Sequence, residues 1–168
     1  YNNEKEYFTH NNQILYYKGS PFNGTFIKYF EREDVHPNLT VLEEKSNWKE
    51  GKLDGLSLLY HHKWSVDSLN KIISNNNFLK QSSLWKEGKK DGLFEKFYKN
   101  GNLEFKTTYK NDSIVGVTER YWENGQLNQK YNTINSLKEG LDEVYFGNGV
   151  LSKKSFYLNN VLEGPFEE

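Results

Sequence analysis

One glycine recurs along this chain at Gly24, Gly55, Gly92, Gly116, Gly140 and Gly164, and the last three intervals are each 24 residues. The two earlier intervals, 31 and 37, are 24 plus insertions of 7 and 13, because the landmarks on either side stay aligned. A fixed period obliges each unit to repeat one supersecondary structure that buries its faces against its neighbours. The reading is a single repeat domain over residues 1–168, with about six units counting partial ends. Its insertions lie near 31–38 and 61–77.

Numbered from that glycine, position +5 is Tyr29, Tyr60, Phe97, Tyr121 and Tyr145. Asn-Gly stands at +8 and +9 in Asn100-Gly101, Asn124-Gly125 and Asn148-Gly149, and leucine at +11 in Leu103, Leu127 and Leu151. Seven residues before the glycine stand Tyr17, Trp48, Trp85, Tyr109 and Tyr157, with Thr133 the exception. Four before it are turn formers: Ser20, Gly51, Gly88, Asp112, Ser136 and Asn160. Asn-Gly between alternating runs signals a hairpin with a type I′ turn, since both residues accept positive φ. With +8 and +9 as the loop, Tyr98 opposes Leu103, Trp122 opposes Leu127 and Phe146 opposes Leu151. The same register opposes Glu95 to Lys106, Glu119 to Lys130 and Glu143 to Lys154, three charge-complementary pairs. The expected fold is all-β, an elongated, twisted antiparallel sheet of consecutive hairpins. One short helix is allowed in the longer insertion.

Composition agrees and removes several functions. Alanine is absent, aromatics reach 16%, and Asn and Gly abound, which suits strands and tight turns. Charged residues make up 27% yet cancel to a net charge of −1, so no global field attracts nucleic acid or an anionic membrane surface. No run approaches the 18 apolar residues of a membrane span, so no integral membrane segment is expected. Without cysteine there is no disulfide framework, thiol nucleophile or thiolate metal site. The segment Tyr1–Glu6 lacks the apolar core of a signal peptide. Because the chain holds no Met, residue 1 is not expected to be the natural start, and a removed leader stays open.

Units such as Tyr109-Lys110-Asn111-Asp112 through Gly116 to Tyr121-Trp122-Glu123-Asn124-Gly125-Gln126-Leu127 resemble the MORN-repeat variant found in many bacterial proteins. The resemblance covers nearly the whole chain and implies the hairpin-sheet fold. It also implies an antitoxin-like or immunity-type protein that binds another protein, a toxin, and acts in the cytoplasm. A second group of such proteins belongs to the cell envelope, which implies a glycan or host ligand, or a structural spacer, at the surface. No shared catalytic residues come with the family, so the chain is read as no enzyme, with no cofactor. The first two units depart from the pattern, with Arg32-Glu33 and Lys63-Trp64 in place of Asn-Gly.

Alternation puts the +6, +11 and −7 residues on one face, expected to be the core-like one. The opposite face then carries a stripe of Tyr60, Phe97, Tyr121 and Tyr145 edged by the Glu–Lys pairs. Rigid aromatics are good interface anchors, although a residue present in every unit also serves the repeat's own packing. Residues that break the period are the other candidates for partner contact. In Ser65–Ile73, Ser65 is placed to cap a helix whose one face holds Val66, Leu69, Ile72 and Ile73. Trp64, Leu69 and Ile72 are therefore added to the partner-binding set. His61 and His62 are adjacent, so in a strand they point to opposite faces, and no metal site is expected. Neither a Gly-x-Ser-x-Gly elbow nor a phosphate-binding glycine loop is present.

Overall fold

The structure, a computed structural model, describes residues 8–11, 14–31, 40–66 and 72–163, with side chains for 14–29, 41–61 and 78–163. Among the described residues there is no helix. Three short strands, β1 (Phe8–Asn11), β2 (Ile14–Tyr17) and β3 (Ser20–Pro21), form a small sheet. The next eleven follow one another across a second sheet: β4 (Gly24–Glu31), β5 (Thr40–Lys49), β6 (Lys52–Val66), β7 (Ile72–Lys86), β8 (Lys89–Phe97), β9 (Leu103–Lys110), β10 (Ser113–Tyr121), β11 (Leu127–Ile134), β12 (Leu137–Tyr145), β13 (Leu151–Leu158) and β14 (Val161–Leu162). Each pairs antiparallel with its sequence neighbours, and the sheet stays open at β4 and β14. The small sheet leans on the β5–β6 turn, where Leu15 N–H donates to the Gly51 carbonyl (2.6 Å) and Gly51 N–H to that of Phe22 (2.7 Å).

Two kinds of turn alternate at the places the spacing implied, but the Asn-Gly turns are not of the type the dipeptide suggested. At the Asn-Gly hairpins only glycine has positive φ (Gly101 +89°, Gly125 +86°, Gly149 +84°), so these are not type I′ turns. Gly101 N–H donates to the Tyr98 carbonyl (3.0 Å) and Tyr98 N–H to that of Asn102 (2.8 Å), the pattern of a type I turn closed by a left-handed glycine. The Asn100 side chain favours this form by accepting from Asn102 N–H two residues on (2.9 Å). The paired positive φ of a type I′ turn appears instead on the opposite edge, at Glu50-Gly51, Glu87-Gly88, Asn111-Asp112, Asn135-Ser136 and Asn159-Asn160. In the first unit the turn lies one residue earlier than Ser20 implied, at Lys18-Gly19.

The changed loop moves the register near it. Position +6 leaves the ladder and +11 pairs with +5, as Phe97↔Leu103, Tyr121↔Leu127 and Tyr145↔Leu151. Beyond a one-residue shift the expected charge pairs stand opposite each other: Glu95↔Lys106, Glu119↔Lys130 and Glu143↔Lys154. The landmark glycine faces the −7 residue across the ladder, as Gly24↔Trp48, Gly55↔Trp85, Gly92↔Tyr109, Gly116↔Thr133 and Gly140↔Tyr157. On its other side the strand bulges: residues 116–118 lie against Thr107 alone, between the pairs Val115↔Thr108 and Glu119↔Lys106. Positive φ at Gly116 (+74°) serves that bulge.

Both insertions fall between +5 and +11. Twelve residues (30–41) separate Tyr29 from Leu42, and eighteen (61–78) separate Tyr60 from Leu79, where the regular hairpin has five (98–102). The longer insertion is not helical at its described ends. Ladder pairs run on through Trp64↔Asn75 to Val66↔Ile72, as suits the stiff β-branched Val66, Ile72 and Ile73. The residues between them, Leu69 included, lie outside the described residues, as does the middle of the shorter insertion.

The expected core face is also corrected. Buried side chains form a line at +2 and −9, one per strand: Ser46, Ser57, Ser83, Phe94, Thr107, Thr118, Asp142 and Ser155, with half-buried Tyr131 on β11. Longer neighbours on that face fold across these small residues. Trp48 Nε1 donates to Ser46 Oγ (2.8 Å) and Trp85 Nε1 to Ser83 Oγ (2.9 Å). Lys90 Nζ lies 5.8, 5.1 and 4.9 Å from the ring centres of Trp85, Phe94 and Tyr109. Lys138 reaches Tyr131 and Tyr157 in the same way and ion-pairs with Asp142. The sheet thus builds a thin core on one face from small hydroxyls roofed by aromatics and lysine stems. Of the +6 aromatics, Trp122 and Phe146 are exposed at the loop edge and Tyr98 is half-buried there, and +11 belongs to the opposite face.

Both edges are laced unit to unit. Tyr98 Oη donates to the Tyr121 carbonyl (2.8 Å) and Trp122 Nε1 to that of Tyr145 (3.1 Å). Asn100 Nδ2 reaches the Glu123 carbonyl and Asn124 Nδ2 that of Gly147, each at 2.7 Å. On the turn edge the bonds are reciprocal: Asp112 N–H donates to the Lys90 carbonyl (2.9 Å), and Lys90 N–H to the Asp112 carboxylate (2.8 Å). Ser136 with Ile114, and Asn160 with Lys138, repeat the arrangement. The turn formers at −4 are therefore inter-unit connectors.

Candidate functional site

The face opposite the thin core has three rows running across the strands. Tyr60, Phe97, Tyr121 and Tyr145 enter one row from β6, β8, β10 and β12, alternating with Leu79, Leu103, Leu127 and Leu151 from the strands between. Successive aromatics lie two strands apart, roughly 10 Å at about 4.8 Å per strand. The structure thus brings these four candidates together, half-buried, in one stripe. Trp64 and Ile72 lie apart from it, on the ladder extension opposite Asn75 and Val66.

Beside the stripe runs a charged row in which every neighbour alternates in sign: Glu95, Lys106, Glu119, Lys130, Glu143, Lys154 from β8 to β13. Each inner residue pairs on both sides, as Glu119 does with Lys106 and Lys130. Lys130 Nζ lies 3.4 Å from Glu119 Oε1, and Lys154 Nζ 3.8 Å from Glu143 Oε1. The stripe is bonded to this row, with Tyr121 Oη donating to Glu119 Oε2 (3.0 Å) and Tyr145 Oη to Glu143 Oε2 (3.2 Å). Burial, and then the Glu119 carboxylate that accepts its proton, push the Tyr121 phenol up to about 12. Tyr145 is raised by burial and the Glu143 charge. Both phenols are neutral donors at physiological pH, and both Glu119 oxygens are already engaged. The row is locally satisfied, which suits surface contact better than proton transfer.

The third row is open and mostly apolar: Leu56, Leu84, Leu93, Val117, Leu141 and Phe156, with fractional exposures from 37% (Leu93) to 49% (Val117), interrupted by Thr108 on β9 and Asn132 on β11. It continues toward the turn edge through Ile134, Leu137 and Leu158, and exposed apolar surface on this scale marks interaction sites. Aromatic spacing drew attention away from it. The signal was nevertheless present at +1, where four of the units place Leu56, Leu93, Val117 and Leu141 directly after the landmark glycine.

Among the described residues no group of three or more His, Asp or Glu is arranged to hold a metal ion. A shallow depression lies at the turn edge near Lys49, Asp54, Trp85 and Asp91. There Asp54 accepts from Glu87 N–H (3.1 Å) and Asp91 is held below the usual carboxylate range by its hydrogen bond to Lys110. Neither a family model nor a curated protein matches this sequence.

Proposed function

We propose that this chain is a non-enzymatic, protein-binding repeat module that docks a partner protein on the face bearing Tyr60, Phe97, Tyr121 and Tyr145. The observation that carries the reading is the open, mostly apolar row of Leu56, Leu93, Val117, Leu141 and Phe156, which shares a face with that aromatic stripe across the charged row, on a sheet whose own core lies on the other face. Rigid aromatic and aliphatic groups fixed by a repeat lose little freedom on binding, and the flanking charges discriminate between partners. The resemblance of the 24-residue unit to the MORN-repeat variant supports a narrower reading, an antitoxin-like or immunity protein that covers the working surface of a toxin.

The test is affinity capture from the native cell with the wild-type chain and with Val117→Asp, both confirmed folded by circular dichroism. One protein retained in stoichiometric amount by the wild type and lost by the variant supports the reading, and a toxin in that position supports the narrower form. Identical retention by both chains, or binding to a glycan array with no protein retained, overturns it.

A further inference from the structure

The alternating row Glu95, Lys106, Glu119, Lys130, Glu143, Lys154 has a symmetry that the fold does not require. A twofold axis parallel to the strands and midway between β10 and β11 turns the face over onto itself, laying β10 on β11, β9 on β12 and β8 on β13 of a second copy. Each residue keeps its row. Glu119 then meets Lys130 of the second copy, Lys106 meets Glu143, and Glu95 meets Lys154, so all six charges face the opposite sign. The stripe is matched as well, with Tyr121 over Leu127, Leu103 over Tyr145 and Phe97 over Leu151. In the third row Leu93 falls on Phe156, Thr108 on Leu141 and Val117 on Asn132.

The charges select this arrangement. An axis running along the rows would set Glu on Glu and Lys on Lys, and so would an axis lying on a strand. Only axes between strands oppose the signs, and the one between β10 and β11 engages the whole row. We infer that this face pairs with a second copy of the same chain about that axis, giving an isologous twofold dimer. The inference rests on the proposal that the face binds protein, and it names the partner. The apolar and aromatic rows supply the affinity, because exposed ion pairs contribute little by themselves, while the charged row fixes orientation. A net charge of −1 sets up no repulsion between copies. Two twisted sheets packed face to face meet most closely at the axis, so Glu119 and Lys130 are the deciding pair.

Sedimentation equilibrium of the full chain gives the test. The wild type is expected at twice the 19.9 kDa chain mass. Glu119→Lys alone and Lys130→Glu alone each put like charges across the axis twice, and each is expected to weaken the dimer at least about tenfold. An equimolar mixture of the two variants places opposite charges at both contacts and restores association as a heterodimer, and carrying both substitutions in one chain restores the homodimer. Circular dichroism and melting temperature show that the single variants are folded. A monomeric wild type overturns the inference, and so does a dimer indifferent to both single variants or a mixture that fails to reassociate. Retention of a different protein that depends on Val117, with a monomeric wild type, leaves the docking proposal standing while this inference falls. Loss of both observations removes both.

Discussion

Gly92 stands directly opposite Tyr109 across β8 and β9, while on its other side a Cβ atom would lie 2.9 Å from both Cβ and Cδ1 of Leu84. Its φ of +127° is a second obstacle to any side chain. Gly116, the same position one unit later, has φ +74° and nothing within 4 Å of where a Cβ would sit. Gly116→Ala therefore costs only backbone strain, about 1–2 kcal/mol. Gly92→Ala adds overpacking and costs about 3 kcal/mol. Both exceed Glu119→Gln. Urea unfolding of the three variants checks the order, and equal midpoints for the two glycine variants would show that Leu84 yields freely.

Thr107 and Thr118 are almost wholly buried, and their hydroxyls lie 2.8 Å apart. Thr107→Val or Thr118→Val leaves one buried hydroxyl without this partner and costs about 1–3 kcal/mol. The double variant removes both polar groups and should cost less than the sum of the two. A double-mutant cycle by thermal or urea unfolding measures this, and strict additivity would remove the hydrogen bond from the account.

The edge connectors make a positional prediction. Asn124 donates to the Gly147 carbonyl of the next unit and accepts from Gln126 N–H in its own turn (3.0 Å). Asn148, in the last hairpin, has only the second kind of bond among the described residues, to Val150 N–H (3.1 Å). Asn124→Ala should lower stability by about 0.5–1.5 kcal/mol more than Asn148→Ala. Equal losses would mean that the asparagines serve their own turns alone.

Replacing residues 61–78 with the five-residue loop Tyr-Lys-Asn-Gly-Asn found at 98–102 restores the 24-residue unit between Tyr60 and Leu79. The β spectrum and the melting temperature should be kept, because the ladder extension lies outside the regular repeat. Among the described residues, the replacement removes the hydrogen bond between His61 Nε2 and the Phe97 carbonyl (3.3 Å). A chain that no longer folds would make the long hairpin a structural prop.

Tyr121 carries a pH dependence. Its pKa is raised from 10.0 to about 12 in the folded protein. A raised pKa means that the folded state holds the proton more tightly, so its contribution to stability is complete below pH 10 and fades as pH climbs toward 12. The phenolate absorbance difference between the wild type and Tyr121→Phe isolates this group. A midpoint near 10 would mean that neither the burial of this phenol nor its Glu119 contact holds in solution.

The period, the hairpins and the +3↔+14 charge pairs were legible in the sequence because they depend on spacing alone. Three features were not. Asn100-Gly101 reads as a type I′ signal, yet the Asn side chain binds its own turn and leaves positive φ to the glycine. That single difference exchanges Tyr98 for Phe97 opposite Leu103. The core face was misassigned for a related reason. In a one-layer sheet the most buried residues are small ones beneath longer neighbours, so Ser83, bonded to the Trp85 indole, and Thr107 are almost wholly buried while Phe146 is 55% exposed. The helical periodicity of Val66, Leu69 and Ile72 yields at its described ends to ladder pairing with the facing strand. The stripe of Tyr60, Phe97, Tyr121 and Tyr145 was legible, while the apolar row across the charged row from it needed the register.

The lacing of both edges sets how such a chain grows into its shape. In the regular units each connector joins residues 20 to 23 positions apart, so none of those units has to wait for distant sequence. Contact order stays fixed as units are added, and folding can advance along the sheet as the chain emerges from synthesis. A duplication of 24 residues then behaves like a further rung on a ladder: it lengthens the ruler without recalibrating the marks already on it.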